Sequence, residues 1–202
     1  MPPDSAATKA RLLQAAFEEF TQYGLAGARV DRIAEKAASN KRLIYVYYGN
    51  KEELFDVVLA QHLGVLADAV PFTADDLAGY AGAMFDHLVR QPEILRLAAW
   101  HQLERPGATP AETDAYRPKV EAVADAQRRG TVTAAVDAVD LLALVLGQVT
   151  AWFTASPALR ALVPGDAFAP ARLERHRAAL TAAVRALTRP DPEPEPGGEP
   201  AR

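Results

Sequence analysis

Apolar positions recur every three or four residues through most of the chain, and no run alternates as a strand would. The pattern predicts a first helix over residues 5–23, with Leu13, Ala16, Phe17 and Phe20 on one face and Gly24 placed to end it in a left-handed cap. A short second helix over 30–37 buries Val30, Ile33, Ala34 and Ala37 at the spacing i, i+3, i+4, i+7. Ala38-Ser39 makes a tight turn, and Ser39 or Asn40 caps a third helix that runs to residue 48. Gly49-Asn50 breaks it, and a fourth helix covers 51–69. Beyond Pro71 the pattern predicts helices over 75–90, 92–104, 110–129, 137–155 and 170–188. The seventh has a complete start signal in Thr109, Pro110 and Glu112, and Arg128, Arg129 and Gly130 suit its end. Ser156-Pro157 ends the eighth. The expectation is an all-α chain of nine helices: a three-helix unit in 1–50, a larger helical bundle in 51–188 and a disordered tail in 189–202 rich in Pro, Glu and Gly.

Composition narrows the function classes. With 202 residues, half of them apolar, the chain can bury a substantial core. The absence of cysteine excludes disulfides, thiolate zinc sites and cysteine nucleophiles, and fits a reducing cytoplasm. The opening MPPDSAATKA has no apolar core of a secretory signal, and the most apolar stretch, 136–153, carries Asp137, Asp140 and Gln148 and is too short for a membrane span. A cytoplasmic protein with no membrane partner is expected. Residues 1–55 hold eight basic against seven acidic side chains, and the remainder fourteen against nineteen. That asymmetry is too mild to point to nucleic acid by itself. His62, His87, His101 and His176 lie far apart without paired metal-ligand spacing, and no nucleophile, zinc-protease or glycine-rich phosphate motif occurs. Asp75-Asp76 suits a helix N-terminus. No catalytic residue, metal or cofactor is called for.

The third helix is the anomaly. It carries Leu43, Val46 and three tyrosines around nearly its whole circumference, with basic residues at both ends. At 100° per residue Ile44 and Tyr48 fall together and face the first two helices. Arg42 and Val46 lie opposite, Leu43 beside them, and Tyr45 and Tyr47 on the flanks. In a DNA major groove Arg42 can pair bidentately with guanine while Leu43 and Val46 meet thymine methyls. Lys41, the hydroxyls of Tyr45 and Tyr47, Lys51 and the free N–H groups opening the fourth helix are placed for the backbone phosphates, and Asn40, at the start of the third helix, belongs to the same DNA-facing set. Two short helices joined by a tight turn form a helix-turn-helix.

The stretch 15–55, above all VDRIAEKAASNKRLIYVYYGNKEELF, resembles the DNA-binding domain of TetR-type transcriptional regulators. Ile33, Ala34 and Ala37 match the family's second helix; Asn40, Lys41, Tyr45, Tyr47 and Tyr48 match its recognition helix; Lys51 and Leu54 match its fourth. The chain departs from the pattern at Arg42, Leu43 and Val46, at Ala38-Ser39 and at Gly49, which leaves the scaffold intact and alters base preference. The resemblance implies a C-terminal domain for ligand binding and dimerisation, coupled to repression.

On that basis the expected function is a homodimeric regulator that binds a palindromic double-stranded DNA operator and is released by a small-molecule effector. His87, Trp100, His101, Gln148 and Trp152 are the candidate lining of the effector site, which would suit an apolar or aromatic molecule. Ala143, Gly147 and Ala151, every fourth residue of one helix, with Leu180 and Val184 of another, are the candidate dimer surface. The rival reading is a helical protein that binds a ligand or protein partner and has no specific operator.

Overall fold

The computed structural model describes residues 5–190; the tail from position 191 onward lies outside them. Among the described residues there are ten α-helices, a short 3₁₀ turn at Ala74–Asp76 and no strand. The helices are α1 (Ser5–Gly27), α2 (Val30–Lys36), α3 (Lys41–Tyr48), α4 (Lys51–Ala69), α5 (Leu77–Arg90), α6 (Pro92–Glu104), α7 (Pro110–Arg128), α8 (Ala138–Thr154), α9 (Pro157–Arg160) and α10 (Pro170–Leu187). No single one of them is long and apolar enough to cross a membrane. The chain divides into two compact units, residues 1–70 with 87–115 and residues 71–86 with 116–202.

The first unit is built on α1. Leu12, Ala16, Phe20, Ile33, Ile44, Leu54, Phe55 and Val58 form one fully or almost fully buried cluster that α1 to α4 share with Leu97 of α6. Phe20 meets Phe55 edge to face, their ring centroids 5.0 Å apart. Helix α6 packs along α1 more extensively than any other pair of helices in the chain.

Two of the sequence expectations need correction. Gly24 does not simply cap α1: at φ 68, ψ −178 it breaks the helix, and the chain then takes one further turn to Gly27. The single-turn helix α9 was missed. Ser156 and Pro157 do end α8, but Ser156 also accepts from the Ala158 N–H at 3.2 Å and so starts the next turn. The start signal of α7 is realised as a reciprocal capping box. Glu112 Oε2 accepts from the Thr109 N–H at 2.8 Å, and Thr109 Oγ1 accepts from the Glu112 N–H at 3.2 Å.

In the second unit, Phe85 lies between Phe153 and His176, with centroids 5.3 and 5.4 Å away, and Trp152 lies 4.9 Å from His176. Burial, with the neighbouring Arg172, pushes the His176 imidazole down. Arg177 Nε donates to both oxygens of Asp86, at 2.8 and 2.7 Å. Only one of the paired aspartates serves its helix: Asp76 accepts from the Gly79 N–H at 2.8 Å. Asp75 instead accepts from Thr131 and Arg129, which hold its carboxyl below the usual range.

Candidate nucleic-acid interface

The turn between α2 and α3 is fixed by its own backbone. The Ala38 N–H donates to Glu35 O at 3.0 Å and the Ser39 N–H to Ala34 O at 2.9 Å. Arg11 reaches across from α1 and donates from Nε to Ala37 O at 3.2 Å. Ala38 sits at φ 46, the left-handed region that a Cβ disfavours. Ala38→Gly should therefore raise stability by about 0.5–1 kcal/mol, relief of this strain outweighing the extra freedom of glycine in the unfolded chain. Urea unfolding of the two proteins measures it. Of the two cap candidates, Asn40 is the cap of α3, its Oδ1 accepting from the Arg42 N–H at 2.8 Å. Asn50 caps α4 in the same way through the Glu53 N–H at 2.8 Å.

Helix α3 presents two unlike faces. Ile44 is completely buried, and Tyr48 is half-buried with its hydroxyl donating to Lys9 O at 3.3 Å. Burial raises the Tyr48 phenol above its ordinary value, so it stays neutral. On the other side Asn40, Lys41, Arg42, Tyr45 and Val46 are exposed, Val46 to 65 %. Leu43 differs from the expectation: it is half-buried and packs against the first unit's core. Leu43, Tyr47 and Tyr48 all pack partly buried against that core, so the buried arc of α3 takes in a position that the wheel put beside the outer face. Tyr47 is likewise half-buried, with Lys9 Nζ 4.9 Å from its ring centre.

The cations around this face are placed differently from one another. Lys41 Nζ lies 2.9 Å from Asp31 Oδ1, which raises its pKa and ties the start of α3 to α2. Lys51 Nζ donates to Ala28 O at 3.2 Å, so it braces the α1–α2 connection from the start of α4. Each ammonium keeps N–H donors beyond the one used. Among the described residues the Arg42 guanidinium makes no hydrogen bond, ion pair or ring contact, and its side of the helix is open.

Two further residues position this face and were not singled out in the sequence. Lys9 touches two of the three α3 tyrosines, Tyr47 and Tyr48, as described. Glu19, 7 % exposed, accepts from the Arg29 N–H at 2.8 Å and from Arg32 Nε at 2.7 Å, so it anchors the start of α2 to α1. The periodicity did carry the Glu19 signal: an acid three residues after Ala16 and seven after Leu12 lies on the buried stripe of α1. Glu19→Ala should destabilise the chain by about 2–4 kcal/mol because Arg29 N–H and the Arg32 guanidinium lose a buried acceptor. Glu19→Gln should recover part of that in the same unfolding assay.

Residues 12–58 match the family described as bacterial regulatory proteins, tetR family, and residues 76–186 match the tetracyclin repressor-like C-terminal domain. The chain belongs to the TetR family of regulatory proteins. It is 43 % identical over 166 residues to the HTH-type transcriptional repressor SCO4008 of Streptomyces coelicolor, an alignment covering 80 % of this chain and 86 % of that one. It is 33 % identical over 105 residues to the HTH-type transcriptional repressor NicS of Pseudomonas putida, covering 48 % and 50 %. Among solved structures, SCO4942 of Streptomyces coelicolor, a candidate transcriptional regulator, superposes with a TM-score of 0.76 at 35 % identity, over 91 % of this chain and 99 % of that one.

The TetR-family C-terminal residues separate by burial. Of the five candidate effector residues, His87, Trp100 and His101 fall in the first unit and Gln148 and Trp152 in the second. Trp100 Nε1 donates to Thr21 O at 3.3 Å, His101 Nε2 pairs with Glu112 Oε1 at 3.1 Å, and Trp152 Nε1 donates to Ala167 O at 3.1 Å. His87 Nε2 and Gln148 Oε1 are buried with no hydrogen-bond partner among the described residues. A cavity of ≈ 210 Å³ between α4 and α7 is lined by Leu59, Leu63, Gly64, Ala67, Glu112 and Ala115 among others, and none of the five candidates lines it. Of the candidate dimer residues, Ala143, Gly147 and Ala151 are exposed along α8, beside exposed Val139 and Leu144. Leu180 and Val184 are 4 % and 0 % exposed. They are core of the chain itself, because the apolar stripe of α10 faces inward and its outer side is lined by Ala178, Ala179, Ala182 and Ala183.

Proposed function

We propose that the chain is a homodimeric repressor in which α3 of each protomer enters a DNA major groove. The observation that carries this reading is the outer face of α3, where exposed Arg42, Tyr45 and Val46 stand on a capped helix held by α1 and α2. Arg42 reads a base edge and Val46 meets a methyl group. Asn40, Lys41, Tyr45, Tyr47 and Lys51 contact phosphates and fix the register. Leu43, half-buried, supports the helix and contributes only its edge to the groove.

Residues 1–50 serve as the reading domain and 51–188 as the effector and dimerisation domain. Dimerisation uses the small-residue face of α8 at Ala143, Gly147 and Ala151 with the alanine face of α10, which allows close helix approach. The two-fold axis sets two half-sites about one DNA turn, or a multiple of it, apart. An effector binds among the helices beyond residue 51, where a buried polar atom without a hydrogen-bond partner among the described residues, such as Gln148 Oε1 in the second unit, offers a polar anchor. It releases DNA only by binding the non-reading conformation more tightly than the reading one.

The test is selection from random-sequence duplexes by the purified full chain, followed by a small-molecule screen for release of the selected duplex. Enrichment of a palindrome supports the reading. No enrichment above background, with ligand binding retained, supports a helical ligand- or partner-binding protein without an operator.

A further inference from the structure

The last turn of α6 holds the break in α1 from both sides. After Gly24 the chain starts a new turn, which places the N–H groups of Leu25 and Ala26 in its first residues, where backbone N–H groups ordinarily lack an intrahelical acceptor. Glu104 Oε2 accepts from both, at 2.5 and 3.1 Å. On the near side of the break, Thr21 O accepts from Trp100 Nε1, one helical turn back on α6. The fit is close: a Cβ on Gly24 would lie 2.8 Å from Glu104 Oε1 and from the Trp100 ring.

The neighbours of Glu104 extend the same grip. Arg105 Nη1 donates to Glu52 O at 3.3 Å and lies 3.0 Å from Asp56 Oδ1, which binds α6 to the first turns of α4. His101 pairs with Glu112 in the α7 capping box. The C-terminal end of α6, with Arg105 that follows it, is thus joined to α1, α4 and α7. The segment it clamps leads directly into the helix-turn-helix: Ala28 O receives Lys51, and Arg29 N–H begins α2 on Glu19.

We infer that Glu104 is a positioning residue for operator binding: its carboxylate, clipped to the N–H pair of Leu25 and Ala26, sets the pose of the α1 end from which α2 and α3 are launched. This goes beyond the recognition helix, since Glu104 is about sixty residues from α3 in sequence and touches no surface assigned to DNA, and it rests on the DNA-reading function proposed above. Two charge-assisted hydrogen bonds to one carboxylate define a direction as well as a distance. Without them the terminal turn samples several poses, only a fraction of which let both recognition helices of a dimer seat together, and apparent affinity falls by that fraction.

The test uses the full-length chain and the duplex that the wild type selects. Glu104→Ala is expected to weaken binding about tenfold with the recognised sequence unchanged, and Glu104→Gln, which keeps an acceptor oxygen, to lie between it and the wild type. Amide hydrogen exchange supplies a readout independent of DNA. The Leu25 and Ala26 amides should exchange about tenfold faster in Glu104→Ala, with the amides of α8 and α10 unaffected. If Glu104→Ala folds poorly, Glu104→Gln must still show faster exchange confined to these two amides. Binding within twofold of wild type together with unchanged exchange at Leu25 and Ala26 overturns the inference, as does faster exchange spread over the whole chain. A wild type that selects no duplex overturns the DNA reading itself, whereas a wild type that selects one while Glu104→Ala binds it equally overturns the clip alone.

Discussion

Replacing Arg42 with alanine lowers affinity for the selected operator by about 1–3 kcal/mol and relaxes preference at one base pair of each half-site. The loss is selective because Arg42 makes no described contact with its own chain, so its removal leaves the Asn40 cap, the Ile44 core and the turn at Ala38 as they are. Lys51→Ala gives the contrasting pattern. Its ammonium donates to Ala28 O and, in the function proposed above, also meets a phosphate, so affinity should fall for all sequences alike, with a smaller dependence on salt concentration. Binding isotherms for the wild type and both variants on the operator and on single-base substitutions, at two salt concentrations, separate the two. Equal behaviour of the variants would refute the division between base reading and backbone grip.

The second large effect is on stability. Phe20→Ala removes a ring that is 0 % exposed and set edge to face against Phe55, in the layer where α1 meets α2, α3 and α4. The expected loss is about 3–5 kcal/mol, a large share of the total stability of an ordinary domain. The two tryptophans allow the affected part to be followed by fluorescence, because Trp100 belongs to the first unit and Trp152 to the second. In a Trp152→Phe background, urea unfolding read from Trp100 should show the Phe20→Ala midpoint shifted down. A midpoint within about 1 kcal/mol of the parent's would mean that the site collapses around the missing ring, contrary to the packing described here.

Much of the first unit was legible in the chain because its signals are local. Asn40 before Lys41, and Thr109 with Glu112, are caps defined by neighbours three residues apart or closer, and both form as expected. The spacing of Ile33, Ala34 and Ala37 likewise reports one buried face. What was not legible depends on elements distant in sequence. The stripe of Leu180 and Val184 has the same pattern whether a partner or the chain's own core covers it, and the structure gives the second answer. Leu43 was placed outward because a wheel shows one helix and not the neighbouring helices that pack against it. Lys41 and Lys51 were visible as cations, but Asp31 and Ala28 O as their partners were not. Glu104 was invisible for a further reason: the N–H groups it binds lie just past the break at Gly24, a geometry the sequence marked simply as a helix end.

The most direct test of α3 as the reading element is methylation protection of guanine N7, an atom exposed in the major groove, on the selected operator. Bound wild-type protein should protect guanines in two symmetric half-sites, and Arg42→Ala should lose that protection at one guanine of each half-site while retaining the others. Tight, sequence-selective binding that leaves every guanine N7 open to methylation would contradict the account.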